Sequence, residues 1–235
     1  MATGGETYWG VAGASVPTVR SRLWRAAAAL LGLALPLAAG LAGLRAPPWV
    51  AGLALVGCAI ALWAWIVLQG RLALRAIGAR SLDPGEGVRM RNLVSGLALD
   101  LDIPAPRLLA FEGGPNALVC IAGEPVIAVA SSLLESFSRT EQEAVAAHCL
   151  IRVASGQVAA AQFAAALGPL GSRVRGLVGA GDDVAAAALT RYPPALAAAV
   201  QHAEARGGRY AGLWFVADGP SHIPVAERED ALSDL

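Results

Sequence analysis

Few side chains in this 235-residue sequence could do chemistry: three histidines, three cysteines and eighteen acids, with no lysine among the basic residues. A metal centre would be marked by a CxxC knuckle or by histidines one helical turn apart. Cys58, Cys120 and Cys149 are widely spaced, and His148, His202 and His222 form no such pair. Cys149 follows His148 directly, but neighbours on a helix point about 100° apart, which is poor geometry for joint ligation. No feature beside Cys149 argues for a lowered thiol pKa, so it reads as a small buried hydrophobe before it reads as a nucleophile. Gly176, Gly179 and Gly181 form no phosphate loop, since they follow no strand and have no lysine. Asp182-Asp183 suits a helix N-terminus, where the dipole favours carboxylates.

These residues must be positioned by the elements around them. Ser138-Arg139-Thr140-Glu141 fits a capping box opening a helix from Arg139 to about Ser155, which would carry His148, Cys149 and Arg152. Before it, an amphipathic helix is expected over Val88–Leu99, with Leu93, Val94, Leu97 and Ala98 on one face. Short strands follow at Arg107–Phe111, Ala117–Ile121 and Pro125–Val129, with Gly123 in the turn between the last two, and a short helix at Ser131–Phe137. Ala154–Leu170 continues as an Ala-rich helix lying against the domain or a membrane surface. Helices at Asp182–Leu189 and Pro193–Ala205 and a strand at Gly212–Val216 complete the order.

The composition sets the environment. Hydrophobic residues make up 56%, charged residues only 15%, and the mean hydropathy is +0.54. An ordinary soluble domain is about a quarter charged. The deficit excludes a disordered chain and a nucleic-acid binder with a basic stripe. Residues 1–80 carry seven arginines against one acid, while residues 81–235 carry eleven against seventeen, so a basic apolar segment joins an acidic domain. Residues 26–44 and 49–69 are free of charge, each close to the roughly 20 residues that cross a bilayer. Arg45-Ala46-Pro47-Pro48 between them makes a tight hairpin of two spans. Arg20, Arg22 and Arg25 on one flank and Arg71, Arg75 and Arg80 on the other place both termini in the cytoplasm of a multi-pass inner or plasma membrane protein. The competing reading of 26–44 as a cleaved signal peptide lacks a small-x-small cleavage site. Residues 1–19, rich in Gly, Ser and Thr, are expected to be a disordered cytoplasmic tail ahead of a hairpin over 20–80 and a domain over 81–235.

The order of parts resembles a known family. Pro115-Asn116-Ala117, the strand Pro125–Val129, Ser131-Ser132-Leu133-Leu134-Glu135 and the run from Glu141 to His148 look like the lead-in to the H-E-x-x-H helix of the HtpX-like membrane zinc metallopeptidases, which include the CAAX prenyl endopeptidases. The likeness continues through the run from Ala188 to Leu196 and ends at His222-Ile223-Pro224 with Arg228. It covers roughly residues 85–235, and the hairpin matches the family's usual anchor. The resemblance implies an α+β, mainly helical architecture: an N-terminal transmembrane hairpin followed by a gluzincin-like metallopeptidase domain with a small sheet.

The same resemblance implies two histidine ligands one turn apart, a glutamate ligand on a later helix, and a glutamate base beside the first histidine. Here the motif reads His148-Cys149-Leu150-Ile151-Arg152, so Cys149 stands at the base position and Arg152 at the second ligand. Registering the later motif on Ala188-Leu189-Thr190 puts Gly179 at the ligand glutamate and Asp183 at its aspartate. No Glu lies between Glu143 and Glu204, so another frame does not restore the site. His148 is the only matching metal ligand. Asp183 matches a partner of the first histidine, and His222 and Arg228 match positions that grip substrate or stabilise an oxyanion. Arg152 is expected to supply the charge of the missing metal and to pair with Asp183. Asn116, Val126, Ile127 and Ala128 match a substrate groove, with Pro125–Val129 as an edge strand open to strand addition. The expectation is a non-catalytic, membrane-anchored pseudopeptidase without cofactor, whose partners are the lipid bilayer and a membrane protein or peptide segment, not nucleic acid. The alternative is an active zinc endopeptidase with unorthodox ligands, such as His148, Cys149 and Asp183. A third reading is a purely structural membrane protein with a closed pocket.

Overall fold

A computed structural model describes residues 48–167, 180–218 and 224–233. The first charge-free stretch and the N-terminal tail lie outside these residues, as do Gly179 and His222. The second stretch forms α1 (Pro48–Ala76), which proline can open because a first-turn N–H has no helical partner. Among the described residues α1 is the one helix long and apolar enough by itself to cross a membrane. Its outer part leaves Trp49, Leu53, Val56, Ile60 and Trp63 exposed, whereas Val67, Gln69, Gly70 and Ala73 are buried where it meets the domain. Gly70 permits that meeting: a Cβ there would stand 2.1 Å from the Ile121 carbonyl oxygen.

After the short β1 (Arg80–Ser81), α2 (Val88–Asp100) buries Met90, Val94, Leu97 and Ala98. The helix falls where its periodicity predicts, with Met90 rather than Leu93 completing the buried face. Strands β2 (Arg107–Phe111), β3 (Ala117–Ile121) and β4 (Pro125–Ala130) form a mixed sheet with β1 in the order β1-β2-β4-β3. β2 and β4 are parallel, while β3 and β4 form a hairpin whose turn residue Gly123 has φ +109°. β4 is therefore an interior strand, not the expected edge. Both of its sides are paired because β2 returns to it through a parallel register starting at Arg107 opposite Val126. Val126, Ile127 and Ala128 are almost fully buried, leaving β4 no free main-chain edge for an added strand.

β3 is the true edge on that side, and the chain covers it. Ile121 donates its N–H to Gln162 Oε1 at 2.6 Å and accepts from Gln162 Nε2 at 3.0 Å. At the other end the Phe215 N–H donates to the Ala117 carbonyl at 2.8 Å. The predicted strand over Gly212–Val216 is instead a 3-10 turn at Ala211–Leu213 followed by a single bridge from Trp214 to Leu118. Beyond that bridge the end of the segment pairs locally, the Arg206 N–H donating to the Val216 carbonyl at 3.2 Å.

The helical layer begins with α3 (Ser131–Ser136) and α4 (Arg139–Ser155). The capping box forms as read: Glu141 N–H donates to Ser138 Oγ at 3.3 Å, and Ser138 N–H donates to Glu141 Oε2 at 2.7 Å. Nearly every residue from Ala144 to Arg152 is buried, since α4 runs between the sheet and the later helices. Gly156, at φ +75°, ends α4, and α5 (Gln157–Ala166) leaves at 78°. The helix from Arg139 thus ends at Ser155, where the sequence places its end, and a left-handed glycine separates it from the following Ala-rich helix, which stops at Ala166. α6 (Ala180–Thr190), α7 (Pro193–His202) and α8 (Val225–Ser233) complete the described fold.

Candidate functional site

His148 lies in the middle of α4, 5% exposed. Its Nδ1 stands 2.9 Å from Asp183 Oδ1. The ring also meets Phe215 edge-on, with centroids 5.1 Å apart. Asp183 sits in the first turn of α6. Arg228, from α8, grips it through both oxygens: Nε to Oδ2 at 2.6 Å and Nη2 to Oδ1 at 2.7 Å. This fork geometry is the strong form of an arginine–carboxylate pair. The remaining Arg228 nitrogen donates to the Phe215 carbonyl at 3.0 Å, and its guanidinium lies over the Phe215 ring. Burial by itself would raise the Asp183 carboxyl, but the imidazole and then the guanidinium hold it well below the usual carboxylate range.

Arg152 follows His148 by one turn and is also 5% exposed. It donates Nη1 to the Trp214 carbonyl at 3.2 Å and Nη2 to the Gly212 carbonyl. Its Nε stands 3.8 Å from Asp182 Oδ2. The expected Arg152–Asp183 pair is replaced by Arg152–Asp182 and Arg228–Asp183. Successive residues in the first turn of α6 point about 100° apart, so each carboxylate meets a different cation. Asp182, 2% exposed, accepts from Gln157 Nε2 at 2.6 Å on its other oxygen. Burial raises its pKa, with His148 and Arg152 opposing. Burial also draws the Arg152 guanidinium pKa down, against the pull of Asp182.

Cys149 is 1% exposed, and burial pushes its thiol up to about 12 with only weak opposition from Arg152. Its burial and raised pKa suit a small buried hydrophobe better than an activated nucleophile. Asn116, placed in the sequence-predicted groove, is fully buried and works as a brace. Its Nδ2 donates to the carbonyls of Glu204 at 2.6 Å and Val216 at 2.8 Å, while its Oδ1 accepts from the N–H groups of Ala117 and Val216. Three buried or nearly buried side chains, Asn116, Arg152 and Arg228, thus hold the backbone of the 212–216 segment against the sheet edge.

The structure brings His148, Arg152, Asp183 and Arg228 into one cluster. It places Val126, Ile127 and Ala128 inside the sheet. Sequence reasoning passed over Asp182 as a helix-start carboxylate and missed Phe215 and Gln157. The only signal for Asp182 was its adjacency to Asp183. Zinc would be held here by deprotonated or neutral donors, usually three protein ligands in a catalytic site. Among the described residues, those around His148 do not fit it: one imidazole already faces a carboxylate that is gripped by one guanidinium, and a second guanidinium stands one turn along the helix. No reaction step through a metal follows from this set.

Over 116 residues the chain is 29% identical to a "Protease HtpX homolog" of Halobacterium salinarum, covering 48% of this chain and 40% of the relative. Over 117 residues it is 32% identical to a "Protease HtpX homolog" of Moorella thermoacetica, covering 45% and 38% respectively. The chain therefore spans about two fifths of the length of the curated relatives it matches. No protein-family model matches it, and no solved structure does. The two relatives support an HtpX-like relationship over just under half of the chain.

Proposed function

We propose that this is a membrane-anchored, HtpX-like protein whose peptidase site has become a structural clamp, and that its role is to bind or regulate rather than to cleave. The observation that carries the reading is Arg152. At the position where the family resemblance asks for a second histidine, a buried guanidinium bonds two backbone carbonyls and faces Asp182. Its charge and its bonds stand where a metal would have supplied both. His148, Asp183 and Arg228 form the second half of the clamp.

On this reading the domain is of gluzincin descent. The anchor is the two-span hairpin, α1 being its second member, with both termini in the cytoplasm of the inner or plasma membrane. The arginines flanking the spans support that orientation. The partner is a membrane protein or a peptide segment. It docks by side-chain contact, because β4 is interior and the ends of the β3 edge are taken.

Metal analysis of the purified, membrane-extracted protein tests the proposal. Sub-stoichiometric zinc, unchanged by His148→Ala, is the expected result. Stoichiometric zinc that His148→Ala removes would overturn it in favour of a working peptidase.

A further inference from the structure

The outward face of α5 carries Ala159, Ala160, Phe163 and Ala166, and Leu167 just beyond is 39% exposed. None of these is polar. An apolar helix face that no described residue covers is costly on a water-facing domain surface. Its position relative to α1 says what covers it. Gln162, fully buried on the flank of that face, donates Nε2 to the Ile66 carbonyl at 2.7 Å. Ile66 lies in the last turn of the charge-free run that ends at Gln69, ahead of Arg71, so a bilayer crossed by α1 has Ile66 on its apolar side near the inner end of that run. The middle of α5 is thereby fixed at that depth.

The surroundings fit the same level. Leu68 on α1 is 39% exposed and continues the apolar surface, while Arg71 and Arg75 stand one and two turns further along. At the other end, Arg209 donates Nε to the Ala165 carbonyl at 3.0 Å, with its guanidinium against the Tyr210 ring. Basic and aromatic side chains bordering an apolar face are what a headgroup layer accepts.

We propose that α5 and the domain end of α1 form one lipid-contacting surface, with α5 lying in the plane of the bilayer interface. The domain would then be seated in the headgroup layer and not suspended below it. The inference rests on α1 crossing a bilayer, and its test separates the two claims. In a Cys58→Ala background, a nitroxide is attached at Ala160→Cys, and in separate proteins at Leu167→Cys, Leu68→Cys and Glu135→Cys, each reconstituted in lipid nanodiscs. Collision rates with oxygen, which concentrates in lipid, and with a water-soluble nickel chelate are then compared by electron paramagnetic resonance. The labels at 160 and 167 should favour oxygen severalfold, as the label at 68 does, while the label at 135 favours nickel.

If Leu68 favours oxygen but both α5 labels match Glu135, the seating of α5 is refuted and the span survives. If both α5 labels are shielded from both reagents, protein covers the face and the proposal is equally refuted. Nickel access at Leu68 would overturn the span and the proposal together. Two α5 positions are used so that a local disturbance at one leaves the other decisive.

Discussion

Arg152→Met removes one cation from a site that has been sealed around it. Unit charges 3.8 Å apart attract by about 4 kcal/mol at an effective dielectric of about 20. The carbonyls of Trp214 and Gly212 lose their donors, and each buried acceptor left unsatisfied costs about 1–3 kcal/mol. These losses do not simply add, because Asp182 already leans toward its protonated form and can relax by taking up a proton. Breaking a buried pair by deleting one partner costs about 3–5 kcal/mol, and that is the expected destabilisation. For a chain of this size about 2–4 °C accompanies each kcal/mol, so the thermal midpoint should fall by roughly 6–20 °C. The assay is thermal unfolding in detergent micelles followed by tryptophan fluorescence. Asp182→Asn alone should also destabilise, and the double variant should recover a substantial part of the sum, as coupled partners do. An Arg152→Met midpoint within about 3 °C of the parent, or strict additivity in the double variant, would refute the clamp.

Other consequences can be checked in the same preparation. Asp183 has a folded-state carboxyl held below its unfolded value near about 3.9, so its contribution is complete above that pH and is lost as pH falls through the folded value. Asp183→Asn should therefore cost about 3–5 kcal/mol at neutral pH and flatten the acid limb of the stability curve. An unchanged acid limb would contradict the assignment. Gly70→Ala forces a methyl group against the Ile121 carbonyl, and overpacking of this kind costs about 1–3 kcal/mol. Hydrogen exchange should show faster opening at the base of α1 and at Ile121. Cys149 should resist alkylation at pH 8 in the folded protein and react only on unfolding. Labelling at the native rate of an exposed thiol would contradict its burial.

Local structure was legible in the sequence wherever a short-range rule decides it. Ser138 and Glu141 announce the start of α4 because both halves of the capping box lie within four residues. The strands β2 and β3 begin and end where apolar runs meet turn residues. Long-range pairing was not legible: nothing in Pro125–Val129 says that β2 will lie on one side and β3 on the other. The end of α4 near Ser155 was legible, but not the 78° angle at which α5 leaves it, because small apolar residues continue on both sides of Gly156. At the candidate site, the residues that cluster were legible and their pairing was not. Whether Arg152 meets Asp182 or Asp183 turns on a 100° step in the first turn of α6, and Arg228 claims the second carboxylate from a helix more than forty residues away.

The 78° break at Gly156 also decides what the two halves of this stretch can face. A straight rod from Arg139 to Ala166 would carry the charged side chains of Arg139, Glu141, Glu143 and Arg152 and the apolar α5 along one axis. The left-handed glycine turns α5 out of that axis, so that α4 stays between the sheet and the later helices while α5 reaches α1, where Gln162 meets the Ile66 carbonyl. One backbone angle thus sorts a charged, domain-facing helix from an apolar one that packs on the long N-terminal helix.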